Sequence, residues 1–126
     1  MNDTRRAELF DKLYRSLPTI HCKGLCYDNC GPIAASEFEI RRLEQAANAP
    51  LTIDDNLTCS MLKENRCSVY AYRPLVCRLF GLVKQMKCEH GCTPSRRLTE
   101  PEAFRLLSKA AEIGGPTCAS KGIEKR

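Results

Sequence analysis

Cysteine is the residue that most constrains how this chain can fold. The 126 residues include nine cysteines, and five of them fall in two short clusters. Cys22, Cys26 and Cys30 stand four positions apart, and Cys88 and Cys92 repeat that spacing. A tetrahedral thiolate site needs sulfurs about 2.3 Å from one ion, so its ligands usually come as close pairs from separate segments. The spacing therefore indicates a metal site.

The start of the chain predicts a cytoplasmic protein. The opening MNDTRRAELF is charged, and no apolar segment of signal-peptide length follows it. No stretch approaches the ~18 apolar residues that would cross a bilayer, so no membrane association is expected. Cytosolic thiols stay reduced, and an odd cysteine count leaves at least one thiol outside any all-disulfide scheme. Metal ligation is thus favoured over a disulfide framework.

The composition gives the metal a structural role. The chain has no Trp and only four Phe and four Tyr, so it lacks the aromatic side chains that usually dominate core energetics. Binding at a thiolate zinc site releases about 10 kcal/mol or more, which is comparable with the stability of a whole domain. We therefore expect that the protein needs its metal to fold.

The basic charge is weak evidence for a nucleic-acid partner. The formal net charge of +5 is counted with neutral thiols. A zinc ion or a four-iron cluster held by four thiolates carries a net charge of about −2, so two such sites would leave a total of about +1. Nucleic-acid binding is therefore not expected.

Apolar periodicity and capping residues predict four helices. They run over about Asp3–Ser16, Glu37–Ala47, Pro74–Phe80 and Pro101–Ile113. The capping boxes Ser36-x-x-Glu39 and Thr99-x-x-Glu102 begin the second and the last of these helices. On the last helix the expected apolar face consists of Phe104, Leu106, Leu107 and Ala110.

The remaining segments predict little regular structure. Leu57–Leu62 and Cys67–Tyr70 read as two short strands joined by a polar turn, with Tyr70 packed rather than chemically active. Residues 51–56 read as a loop, and the tail from Pro116 reads as frayed. The expected fold is a mainly α, metal-stabilised single domain, 1–126 with a core of about 20–113. It has a minimal two-stranded β element and its cysteines gathered at one end.

Eight cysteines are the candidate metal ligands, and zinc is the first choice of cofactor, with an iron–sulfur cluster as the other. The eight are Cys22, Cys26, Cys30, Cys59, Cys67, Cys77, Cys88 and Cys92. Cys118 is as well explained as a small buried apolar residue. His90, and less so His21, is a further candidate because imidazole is a common zinc ligand.

Between Cys59 and Phe80 the chain resembles a known family. RCSVY at 66–70 is followed by RPLVCRLF at 73–80, and the combination resembles the core signature of the YkgJ-like cysteine-cluster family. The resemblance spans about Cys22 to Cys92 and implies a zinc- or iron-chelating domain. The family's first cluster is typically C-x2-C-x2-C-C, whereas this chain has wider spacing and no adjacent pair. One ligand is therefore missing or comes from Cys88, Cys92 or His90.

Three arginines are candidates for stabilising the thiolates, and four acidic residues are candidates for acid–base chemistry. Arg66, Arg73 and Arg78 stand close to ligand cysteines in sequence, and Arg73 and Arg78 belong to the family signature. They are expected to donate to thiolate sulfur; the alternative is solvated or salt-bridged arginines. The acidic residues form no catalytic motif and are expected to be solvated: Glu37, Glu39, Asp54 and Asp55.

Three functional classes follow from these patterns. The first choice is a metal-binding accessory or structural module with closed sites. The second is an iron–sulfur redox protein or enzyme, and the third is a zinc-dependent module that interacts with nucleic acid. The sequence has no nucleotide-binding loop, no catalytic triad and no interleaved basic and aromatic residues, so it identifies neither a catalytic residue nor a protein partner.

Overall fold

The fold is mainly helical, as the sequence predicts. The computed structural model describes residues 1–20, 31, 33–64, 66–83, 91–119 and 121–122. The described α-helices are α1 (Asp3–Arg15), α2 (Glu37–Ala47), α3 (Leu75–Leu79) and α4 (Glu100–Gly114), and a 3₁₀ helix covers Tyr70–Tyr72. None of the helices in this part of the chain is long and apolar enough to cross a membrane.

Capping residues set the helix boundaries. The Asn2 side chain caps α1, and the Ser36 side chain accepts from the backbone of Glu39 at the start of α2. α2 ends at Asn48, whose left-handed φ of 53° stops the helix. Thr99 and Glu102 form the complete reciprocal capping box of α4. These local signals explain why the predicted bounds of α2 are correct and why the other helix bounds are correct to within one residue.

Within the described residues, six short strands form three two-stranded pairs. β1 (Ala34–Ser36) is antiparallel to β5 (Thr117–Ala119), and β2 (Thr52–Ile53) is parallel to β6 (Lys121–Gly122). β3 (Leu62–Lys63) is antiparallel to β4 (Arg66–Cys67). The loop predicted over 51–56 and the frayed tail predicted after Pro116 are therefore wrong in part. Pairing between distant segments orders these short strands, and no local pattern in either segment announces it.

The predicted hairpin exists but is shorter than expected. Leu57 has a φ of 59° and Glu64 a φ of 49°, and this left-handed backbone does not continue a strand. Tyr70 and Tyr72 lie on the 3₁₀ helix, where 52% and 47% of their surfaces are exposed, so the strand predicted to reach Tyr70 is wrong. The Tyr70 ring packs under the Arg73 guanidinium, with 3.7 Å between its carbon and the ring centroid. The turn that ends in Pro74 overrides the strand preference of the aromatic residues.

The apolar core is divided into two clusters. The larger cluster joins α1, α2, α3 and α4, and Phe10 lies within it, fully buried and stacked on Phe38 with ring centroids 5.6 Å apart. The smaller cluster lies under the hairpin and includes two of the candidate ligands. Its buried members are Leu43, Leu51, Cys59, Met61 and Val69, with Cys67 packed at its edge.

α4 turns only part of the predicted face to the core: Ala110 is buried and Leu106 packs against the larger cluster, but Phe104 and Leu107 are exposed. Ala103, Ala110 and Ile113 are buried, whereas Phe104 is 72% exposed. The buried residues recur at helical spacing along the side that closes onto α1 and α2. At Gly114 an added Cβ would lie 2.9 Å from the Phe10 ring, so a side chain does not fit there.

Candidate metal centre

The described residues contain four of the eight candidate ligands. They are Cys59, Cys67, Cys77 and Cys92. The other four lie outside the described residues, as do both histidines: Cys22, Cys26, Cys30, Cys88, His21 and His90. No disulfide joins any two of the cysteines that the structure describes.

Three of these thiols are brought together from separate elements. Cys59 precedes β3 and forms a bridge with Ile53, Cys67 lies on β4 opposite Leu62, and Cys77 lies in α3. The charges of Cys59 and Cys67 both raise the pKa of Cys77, so all three sulfurs lie within electrostatic range of one another. Residues up to 18 positions apart along the chain thus come close enough to affect one another's pKa.

Backbone N–H groups point at two of the sulfurs. The Met61 N–H donates to Cys59 Sγ at 3.4 Å. A hydrogen bond from the Val69 backbone lowers the pKa of Cys67, because it stabilises the thiolate more than the thiol. The local turn after each cysteine therefore supplies a donor suited to a negatively charged sulfur.

Without a metal Cys67 and Cys77 stay protonated at neutral pH. Burial raises the pKa of Cys77 to about 12, and the Arg73 guanidinium opposes that rise. Burial also raises the pKa of Cys67 above its ordinary value. Since metal ligands must be thiolates, binding of an ion here releases protons.

The signature arginines Arg73 and Arg78 both donate to backbone carbonyls, whereas they were predicted to donate to sulfur. Arg73 donates through Nε to the carbonyl of Tyr70 at 3.0 Å, and its charge also lies close enough to Cys67 and Cys77 to lower the pKa of each. Arg78 donates through Nε to the carbonyl of Arg73 at 2.7 Å and through Nη2 to the carbonyl of Ala71 at 2.9 Å. The guanidinium of Arg78 thus holds the backbone before α3.

Glu39 is the residue whose importance the sequence did not reveal. Its side chain was expected to be solvated, but only 3% of its surface is exposed. One carboxylate oxygen accepts from the Tyr14 hydroxyl and the Leu75 N–H, both at 2.6 Å, and the other accepts from the Ser36 hydroxyl at 2.8 Å. A signal was available, because Glu39 stands four positions before the buried Leu43 and so lies on the same helix face.

A cavity of about 300 Å³ opens beside Cys77. Its wall includes Cys92 as well as the arginines Arg15, Arg73 and Arg78. The fold therefore brings a member of the last cysteine cluster to the same cavity as Cys77, and it surrounds that cavity with positive charge.

The described thiols fit a thiolate metal site in donor chemistry but do not complete one. They combine sulfur, backbone N–H donors and a nearby guanidinium, as such sites do. Within the described part of the chain, however, no group of three or more Cys, His, Asp or Glu side chains is arranged to hold an ion. A complete site would need ligands from the other cysteine positions.

Comparison with known families identifies the chain. A family model, CxxCxxCC, with the description "Putative zinc- or iron-chelating domain", matches residues 21–94. This range contains all eight candidate cysteines and excludes Cys118. No curated protein and no solved structure matches the chain. Because the match covers more than half of its length, the chain belongs to the CxxCxxCC family, and the predicted metal binding is the family's described property.

Proposed function

We propose that this chain is an accessory or structural module, a single cytoplasmic domain that holds zinc through cysteine thiolates. One observation carries the proposal: Cys59 and Cys67 belong to one apolar cluster, and both raise the pKa of Cys77 beside Arg73. The proposed ligands are the eight cysteines inside the family match, namely Cys22, Cys26, Cys30, Cys59, Cys67, Cys77, Cys88 and Cys92.

The covalent chain supports a contribution from the first cysteine cluster. Ile20 forms a bridge with Pro94, and the Ser95 N–H donates to the Thr19 carbonyl at 2.7 Å. Cys22 follows Ile20 by two positions and Cys92 precedes Pro94 by two positions. The described residues that precede the first cysteine cluster in sequence therefore lie beside the segment that carries Cys92.

Elemental analysis and a visible spectrum test the proposal directly. The protein is purified without oxygen and without added metal, and zinc, iron and acid-labile sulfide are measured for each chain. Roughly one or two zinc ions and no colour would support a closed thiolate module. A protein that holds neither metal after reduction and reloading would overturn it.

Iron is the second candidate because the family description names it beside zinc. An iron–sulfur cluster would give acid-labile sulfide and absorbance near ~400 nm. That result would replace the structural module by a cluster protein with redox chemistry.

Single cysteine variants test the ligand set. Cys77→Ser is expected to lower the bound zinc, because serine does not replace a thiolate ligand. Cys118→Ser is the matched control, since Cys118 is half-buried on β5 and lies outside the family match. Equal losses in the two variants would show that the proposed ligand set is wrong.

A further inference from the structure

We infer that Glu39 is a positioning residue of the metal centre, which fixes the short helix that carries Cys77. The inference rests on the proposed function, with Cys77 as a ligand. Glu39 lies on α2 and contacts the first residue of α3 through the 2.6 Å hydrogen bond from the Leu75 N–H. Its role is therefore to place a ligand, without contact to the ion itself.

α3 needs an anchor because it is short and lacks a capping side chain of its own. It spans only five residues, and Pro74 at its N-cap makes no side-chain capping hydrogen bond. A helix of one to two turns is not stable in isolation, and its first N–H groups need acceptors from elsewhere. The Glu39 carboxylate supplies an acceptor from a longer helix.

The carboxylate is itself held in one orientation. Its two oxygens accept from Tyr14 on α1 and from Ser36 at the start of α2, in addition to Leu75. A buried carboxylate is costly unless it is hydrogen-bonded, and here three donors surround it. The direction of the acceptor that meets α3 is thus set by two other elements.

The position of Cys77 follows from this contact. Cys77 stands two residues after Leu75 on the same helix. The residue after Cys77 is Arg78, whose side chain donates to the carbonyls of Arg73 and Ala71. α3 is therefore fixed at its first residue by Glu39 and beyond Cys77 by Arg78. A shift of the first contact would move the sulfur relative to Cys59 and Cys67.

Two conservative variants separate the effect of the length of the Glu39 side chain from the effect of its charge. Glu39→Asp keeps the charge and shortens the side chain by one methylene, so the carboxylate no longer reaches the Leu75 N–H. Glu39→Gln keeps the reach and an oxygen acceptor but removes the charge. If Glu39 positions Cys77, Glu39→Asp weakens zinc binding about tenfold or more, whereas Glu39→Gln stays within about threefold of the wild type. Zinc affinity is measured by competition with a chromophoric chelator.

A second readout uses the zinc-loaded protein, in which a bound Cys77 is protected and a displaced Cys77 is open to alkylation. The rate of Cys77 alkylation, followed by peptide mass spectrometry, is expected to rise in Glu39→Asp and to stay near the wild-type rate in Glu39→Gln. Ile113→Val is the control for a loss of stability alone, because Ile113 is buried in α4. This control is expected to lower the melting temperature and to leave both zinc affinity and Cys77 alkylation unchanged.

The outcomes distinguish the inference from the proposed function. Zinc affinity and Cys77 alkylation in Glu39→Asp that match the wild type would overturn the inference, and so would an Ile113→Val variant that weakens zinc equally. A wild-type chain that binds no metal would overturn the proposed function, and the positioning role with it. A wild-type chain that binds zinc as expected leaves the Glu39 variants to decide the inference alone.

Discussion

Arg78→Lys tests whether this signature arginine acts on the backbone or on the thiolates. The guanidinium bonds two carbonyls, of Arg73 and Ala71, and lies over the Tyr14 ring with 3.8 Å between its carbon and the ring centroid. A lysine ammonium keeps the positive charge but lacks the planar fork that reaches both carbonyls at once. The substitution therefore removes the pair of hydrogen bonds to the two carbonyls and keeps the positive charge.

The contacts set the size of the effect. A hydrogen bond to a charged group contributes about 1.5 to 3 kcal/mol, and the lower part of that range suits a half-buried side chain. The weaker stacking of lysine on Tyr14 adds a loss of about 0.5 kcal/mol. We expect the free energy of unfolding to fall by about 2 kcal/mol, which lowers the melting temperature by roughly 8 °C.

Chemical denaturation of the metal-loaded protein provides the assay, and alkylation of Cys67 and Cys77 in the folded, loaded protein is the second readout. Arg105→Lys is the matched control, because Arg105 is exposed on α4 and its replacement should change stability by less than about 0.5 kcal/mol. A backbone role lowers the free energy of unfolding and leaves both thiols protected from alkylation. Loss of that protection without a loss of stability, or no loss of stability beyond that of the control, would refute the reasoning and show that Arg78 acts on the thiolates.

Three further predictions concern the core, the thiols and the metal. Leu79→Ala should lower the free energy of unfolding by about 2 to 5 kcal/mol, because Leu79 is 1% exposed and lies in the larger cluster. Denaturant titration measures this loss, and Leu57→Ala is the control because Leu57 is 60% exposed. Zinc affinity should fall by about tenfold or more for each pH unit of acidification, because burial raises the pKa of Cys67 and Cys77 and both thiols must release their protons to become ligands. Competition titrations at two pH values measure that fall, and an affinity that does not change with pH would contradict it. Removal of metal by a strong chelator under reducing conditions should abolish the cooperative thermal transition in calorimetry, and a retained transition would show that metal is not needed for folding.

The helices were predictable because their signals are local. Ser36 and Asn48 mark the two ends of α2, and Thr99 with Glu102 marks the start of α4, all within a few residues of the boundary. The short strand pairs were not predictable in the same way. β2 pairs with β6 across more than sixty residues, and neither segment has an alternating pattern long enough to indicate a strand.

The sequence predicts the cysteine ligands of the candidate site, but it does not predict the buried residue Glu39 that holds the helix carrying one of them. Cysteine spacing and the family signature identify the thiols, since these residues stand out in any sequence. Glu39 does not stand out, because a glutamate in the first turn of a helix is most often solvated. Its burial depends on Tyr14 and Leu75, which approach from distant parts of the chain.

Cys59 and Cys67 belong to an apolar cluster, and burial favours the neutral thiol at Cys67, yet some neighbours of these sulfurs would stabilise a thiolate. A thiol is a weak hydrogen-bond acceptor, so N–H donors from Met61 and Val69 contribute little to it. The same donors stabilise a thiolate more strongly, and Arg73 adds a positive charge near Cys67. Burial outweighs these contributions, so the pKa of Cys67 is raised. A cation bound here would therefore replace the proton of Cys67, and Arg73 would offset part of the negative charge of the thiolate.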